Sequence, residues 1–250
     1  MHKLFQTVLV LLLLTGMTTL ATAATEPTLT KEAAIEALKE IQGEVLAVSP
    51  SEIPGLYLVS VKMQDRNIPL YLDATGTYMF SGNVIDLKQR RNLTEDLFRR
   101  LNPVDVSAIP LDDALPLGNP QAQQQVIVFT DPLCPYCSQL HTVLYQALEK
   151  DPDLLFQIVL LPMQPNSQRI SQTIICNKSM EQLEQAFAGT ALPEPNCDTD
   201  VLRKNQEIAQ SLQITGTPTL VLPNGQIHAG YRPVDDLLKL IKENSAPAVN

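Results

Sequence analysis

The sequence predicts an α+β chain of two domains joined by a helix, and three observations predict it. The first half, after an apolar leader, carries one amphipathic helix and then four short strand-like runs divided by turn residues. The second half runs strand, helix, strand, helices, hairpin, helix, an order that builds a mixed sheet with helices packed on it. Between the halves lie a charged helical stretch and a segment punctuated by proline and glycine.

The leader is "MHKLFQTVLVLLLLTGMTTLATA". It has a basic start at Lys3, an apolar run from Val8 to Leu14, and an Ala21-Thr22-Ala23 end that fits a cleavage site. Thr15 and Gly16 cut the run short of a membrane span. Residues 1–23 therefore read as a signal peptide, cleaved near Ala23, for export across an inner membrane to a periplasm. Such a compartment lets disulfides form and persist.

Residues 24–85 read as the first domain. Thr30 caps a helix whose Ala34, Ile35, Leu38 and Ile41 form one face, and Gly43 ends it. Strand-like runs follow at 44–48, 55–63, 68–72 and 77–80, parted by Ser49-Pro50, Asp65-Arg66-Asn67 and Asp73 to Gly76. A core of roughly 60 residues is marginal alone, so pairing with a second copy would help it. Residues 86–108 read as a linker helix, "LKQRRNLTEDLFRRL" carrying only the thin stripe Leu93, Leu97, Phe98 and Leu101.

Residues 109–250 read as the second domain. "QVIVFT" is a short buried strand. Asp131-Pro132-Leu133 turns the chain into a helix from Cys134 to Lys150, and "LLFQIVLLP" is a second buried strand. Two or three helices fill 166–212. "TPTLVLPNGQIHAGY" reads as a hairpin turning at Asn224-Gly225, and a helix from Val234 to Lys242 closes the chain.

Lys and Arg number 18 against 27 Asp and Glu, a net charge of −9, which argues against a nucleic-acid partner. The chemistry sits in the cysteines: Cys134, Cys137, Cys176 and Cys197. An even count in an exported chain points to two pairs. In "TDPLCPYC" the first cysteine opens a helix after a strand, where free backbone N–H groups and the helix dipole favour negative charge on its sulfur. Pro135 suits the first helical turn. Cys137 lies one turn further in, on the inner face. Cys134 is thus the nucleophile and Cys137 the resolving thiol. Stabilising the thiolate also makes the Cys134–Cys137 disulfide a stronger oxidant.

Thr217-Pro218 precedes an apolar strand, where a proline needs a special place. A cis bond opposite the cysteines is one such place, leaving the Thr217 backbone for an extended substrate; an ordinary trans proline at a strand start is the other. Tyr136 either lines a substrate cleft or covers Cys137. Asp131 either tunes proton transfer or serves the turn. Zinc is the rival reading for the cysteines, but Cys176 and Cys197 form no second C-x-x-C, and His141 reads as a surface or packing residue. Met63, Met79 and Met163 read as packing residues. No metal or cofactor is expected.

"FTDPLCPYC", "CNKSMEQLEQAFAG", "NCDTDV" and "ITGTPTLVLPNGQIHAGYRP" resemble the DsbC/DsbG family of periplasmic thiol:disulfide interchange proteins. The resemblance implies a thioredoxin-like catalytic domain with a helical insertion, behind a small cystatin-like dimerisation domain and a linker helix. It assigns Cys134 and Cys137 to the redox pair, Thr217, Pro218 and Tyr136 to substrate binding, and Cys176 and Cys197 to a structural disulfide. It implies a homodimer acting on misoxidised or unfolded secreted proteins, with a DsbD-type membrane reductase keeping the pair reduced. Pro135-Tyr136 is like the DsbG branch, whereas the second cysteine pair is like DsbC. Disulfide isomerisation is the expected activity. Reduction of sulfenylated single cysteines, a holdase chaperone role and a monomeric oxidase are the alternatives.

Overall fold

The computed structural model describes residues 28–89 and 91–245. The expected signal peptide lies outside them. Among the described residues no helix is long and apolar enough to cross a membrane.

Helix α1 (Lys31–Ala37) starts where the Thr30 hydroxyl accepts the Ala33 N–H at 3.1 Å. It is shorter than its apolar pattern suggests, because Leu38 leaves helical geometry and the chain continues in turns. Ala34 and Leu38 are buried and Ile41 packs beside them, while Ile35 is 49% exposed, off the face assigned to it. Strands β1 (Glu44–Pro50), β2 (Leu56–Met63), β3 (Arg66–Asp73) and the two-residue β4 (Met79–Phe80) form an antiparallel sheet in that order. Val45, Val59, Val61, Leu70 and Leu72 meet α1 across a small core.

The charged stretch expected to be one helix divides. Strands β5 (Ile85–Asp86) and β6 (Arg91–Asn92) pair first, and helix α2 spans only Leu93–Leu101. The cause is local: the Asp86 carboxylate accepts the Lys88 and Gln89 N–H groups at 2.8 and 2.9 Å, which favours a turn over a helix. Asn92 then caps α2 by accepting Glu95 N–H at 3.1 Å. At the other end, Asn67 and Asn102 exchange hydrogen bonds of 2.8 Å and fasten α2 to the first sheet.

The second sheet has the order β11-β10-β8-β9-β7. It comprises β7 (Leu115–Gly118), β8 (Gln124–Thr130), β9 (Leu154–Leu160), β10 (Thr219–Val221) and β11 (Ile227–Ala229). Only β8 and β9 are parallel; the other pairs are antiparallel. The helices are α3 (Pro135–Lys150), α4 (Ser167–Asn177), α5 (Met180–Phe187), α6 (Val201–Ser211) and α7 (Val234–Glu243). The period of two in β8 sorts its side chains. Val126 and Val128 join the core that includes Leu140, Leu144 and Leu237, while Ile127 and Phe129 join the opposite core with Ala209 and Ile214. Both faces are covered, which is why the run reads as continuously apolar.

Candidate active site

The C-terminal end of β8 delivers the chain to a turn built on Asp131, which is fully buried. One carboxylate oxygen accepts Leu133 N–H at 2.7 Å and the Ser167 hydroxyl at 2.7 Å. The other accepts Met163 N–H at 2.6 Å and Gln164 N–H at 2.8 Å. Asp131 thus closes its own turn and also ties down the loop leading into α4. The turn reading of this residue was too small: the bonds reach 36 positions along the chain. Only the local half was visible from neighbouring residues.

Cys134 is the N-cap residue of α3, with Pro135 at the first helical position. Its backbone N–H donates to Asp131 O at 3.1 Å, and its carbonyl accepts Cys137 and Ser138 N–H. Its Sγ lies 3.4 Å from the Thr217 carbonyl, close enough for the thiol to donate. Cys137 lies one turn on, 1% exposed against 7% for Cys134, and Asp131 N–H points at its sulfur at 3.5 Å. Both thiols are free. Burial pushes the Cys137 thiol up to about 12, with the Asp131 N–H and nearby hydroxyls pulling weakly the other way. The two sulfurs are therefore unequal: Cys134 stands at the N-cap of the helix with a little of its surface exposed, and Cys137 is kept protonated beneath it.

Thr217 and Pro218 are joined by a cis peptide bond, and the Thr217 carbonyl is the group facing Cys134. Gly230 N–H donates to Pro218 O at 2.8 Å, fixing this loop to the hairpin. Tyr136 is 62% exposed and does not cover Cys137. Leu133, Tyr231 and Met163 are also exposed apolar side chains next in sequence to groups that build the site. Met163 and Met79 are 46% and 48% exposed and so depart from the packing role expected of them, whereas Met63 packs on the first core. The place of Met163 beside the Asp131 turn carried no sequence signal, since a backbone N–H makes the link.

Cys176 and Cys197 form a disulfide between α4 and the segment before α6. Their sulfurs are thereby occupied, and among the described residues no cluster of three or more His, Cys, Asp or Glu side chains is placed to hold a metal. His141 is buried, not superficial, with its ring against Phe187 at 5.1 Å and Tyr145 at 5.8 Å. Burial lowers its pKa to about 4.

The model of the thioredoxin-like domain matches residues 111–245. The chain belongs to the thioredoxin-like domain family. In front of that domain, residues 21–95 match the N-terminal domain of disulfide bond isomerase proteins. Both halves of this thioredoxin-like chain therefore agree with the resemblance read from its motifs. Curated relatives include the probable thiol:disulfide interchange protein DsbC of Bordetella avium, 26% identical over 70% of this chain and 62% of its own length. The thiol:disulfide interchange protein DsbC of Escherichia coli K12 is 24% identical over 79% of this chain and 81% of its own. The chain spans about three fifths of the length of the Bordetella relatives. A solved disulfide interchange protein from Neisseria gonorrhoeae aligns with a TM-score of 0.47 at 26% identity, covering 55% of this chain and 99% of that one.

Proposed function

We propose that this chain is a disulfide isomerase whose Cys134 is the attacking sulfur and Cys137 the resolving one. The observation that carries the reading is the inequality of the two thiols at the start of α3: one at the helix N-cap beside the Thr217 carbonyl and 7% exposed, the other 1% exposed one turn further in and held protonated. The Cys134 thiolate attacks one sulfur of a substrate disulfide. The substrate S–S bond breaks, a Cys134–substrate bond forms, and the electron pair leaves on the other substrate sulfur. A second substrate thiolate then attacks the mixed disulfide and releases Cys134 as thiolate. No net oxidation occurs, and the substrate's pairing has changed. If Cys137 attacks instead, it loses its proton, closes the Cys134–Cys137 disulfide and releases a substrate carrying two more electrons. A reductase must then restore the pair, in line with the DsbD-type membrane partner expected from the resemblance. Because burial holds Cys137 protonated at neutral pH, this exit is slow and the mixed disulfide lasts long enough to rearrange.

The substrate-facing groups in this reading are Thr217 and Pro218 beside Cys134, with Tyr136 on the exposed side, and Cys176–Cys197 is a structural brace. The proposed organisation is a dimerisation domain over 24–85, a linker over 86–108 and a catalytic domain over 109–250, exported to the periplasm by the 1–23 leader. Homodimerisation is supported by the edge strand β4, where Met79 and Phe80 are exposed, as is Tyr78 just before it. An apolar sheet edge calls for a partner strand. The test is recovery of a scrambled multi-disulfide protein under mildly reducing conditions. Recovery that C134A abolishes supports isomerisation; recovery that C134A leaves intact overturns it and favours a holdase.

A further inference from the structure

Among the described residues, six side-chain nitrogens and oxygens are buried without a hydrogen-bond partner, and three of them line one cleft: Arg99 Nε, His228 Nε2 and Arg232 Nε. The cleft has a volume of about 1000 Å³ and lies between α2 on one side and the β11–α7 segment on the other. The linker is docked there. Val104 N–H donates to Gly225 O at 2.8 Å, and at Gly225, with φ +82°, a Cβ would meet Val104 O at 2.1 Å.

The cleft is lined by five cations, Arg91, Arg99, Arg100, Arg232 and Lys239, and four carboxylates, Glu95, Asp96, Asp236 and Glu243. Asp96 pairs with Arg91 and Arg99, Glu95 also pairs with Arg99, and Glu243 is 3.9 Å from Lys239. Among the described residues Arg232 has no ion pair, although it is half-buried. His228 is 6% exposed with its Nε2 unanswered. The groups sense one another: burial first, and then the Arg99 charge, make the Arg232 cation less favourable, with Asp236 and Asp96 acting the other way, and burial followed by both arginines disfavours a charged His228 against the pull of Asp96. Buried side-chain nitrogens without partners and a half-buried guanidinium without an ion pair together call for an anion with several acceptor oxygens.

We propose that this cleft is a binding site for a small oxyanion, a phosphate or carboxylate group, seated between Arg232, His228 and Arg99. Arg232 provides the guanidinium fork that such a group accepts from. Since Arg99 belongs to α2 and the other two to the second domain, the bound anion also fastens linker to domain. The site is independent of the dithiol chemistry proposed above.

The test uses the whole protein and two probes, inorganic phosphate and acetate, each titrated at constant ionic strength against a chloride control, with the His228 ring resonances as the signal. The expected result is a saturable movement with at least one probe, weakened tenfold or more in R232Q and partly restored in R232K. Saturation by phosphate alone identifies a phosphate group, and saturation by acetate alone a carboxylate. Melting temperature gives a second reading: the saturating anion raises it in the wild type and not in R232Q. Movement no greater than with chloride, or equal movement in R232Q, overturns the proposal.

Discussion

Replacing Asp131 with alanine is the substitution that should reveal most about how the site is built. The carboxylate is fully buried and accepts four hydrogen bonds, three from backbone N–H groups and one from a hydroxyl. In D131A those four donors lose their acceptor while remaining inside the protein. A hydrogen bond to a charged group contributes about 1.5–3 kcal/mol. The desolvation of the carboxylate, which disappears with it, offsets part of the sum. A net loss of about 3–5 kcal/mol follows, in the range seen when one partner of a buried charged network is removed. For a chain of this size that corresponds to a fall in melting temperature of roughly 6–20 °C. Urea denaturation of the reduced protein measures it directly, and amide exchange locates it. The Met163 and Gln164 amides should lose protection first, since the Asp131 carboxylate is their acceptor. D131N keeps one acceptor oxygen and should lie between. A loss below about 1 kcal/mol in D131A, with the Met163 and Gln164 amides still protected, would refute the reasoning.

Three further outcomes follow from the same structure. Burial raises the Cys137 thiol to about 12, so its contribution to the stability of the reduced protein is complete below about pH 9 and is lost as pH rises toward 12; urea midpoints should therefore fall above pH 9 for the reduced form and stay flat for the oxidised form, and matching curves would contradict it. Burial lowers His141 and His228 to about 4 and 3, so their contribution is present above about pH 6.5 and is lost as pH falls through those values; H141L should flatten the acid limb, worth about 3 kcal/mol for this group, and an unchanged limb would count against its buried neutral state. G225A forces a left-handed residue and a clash with Val104, so the linker should release from the hairpin at a cost of about 1–3 kcal/mol, seen as faster proteolysis at Pro103; resistance equal to the wild type would show that the docking does not depend on Gly225.

Where a signal was carried by neighbouring residues, the sequence was legible. The run from Val126 to Thr130 is buried on both faces, and the Cys134 cap with Pro135 behind it marks the start of α3. Strand β7 was hidden because Pro116 and Gly118 look like loop residues. Pro116 is tolerated at a sheet edge, and at Gly118 a Cβ would strike Leu154 O at 2.4 Å. The early start given to α2 had a similar origin, since helical propensity in 87–92 yields to the Asp86 turn. The reach of Asp131 to the Met163 loop and the convergence of Arg99, His228 and Arg232 join residues far apart in the chain. The first follows from packing within the second domain and the other from the packing of α2 against it, and neither from spacing.

The central claim concerns which sulfur attacks, and trapping of the mixed disulfide tests it most directly. C137A, mixed with a scrambled disulfide substrate, should accumulate a covalent adduct at Cys134 that a reductant dissolves, while C134A should form none. An adduct formed through Cys137 in C134A at a comparable rate would contradict the account, because a thiol this buried and this strongly held in its protonated form is not the attacking group.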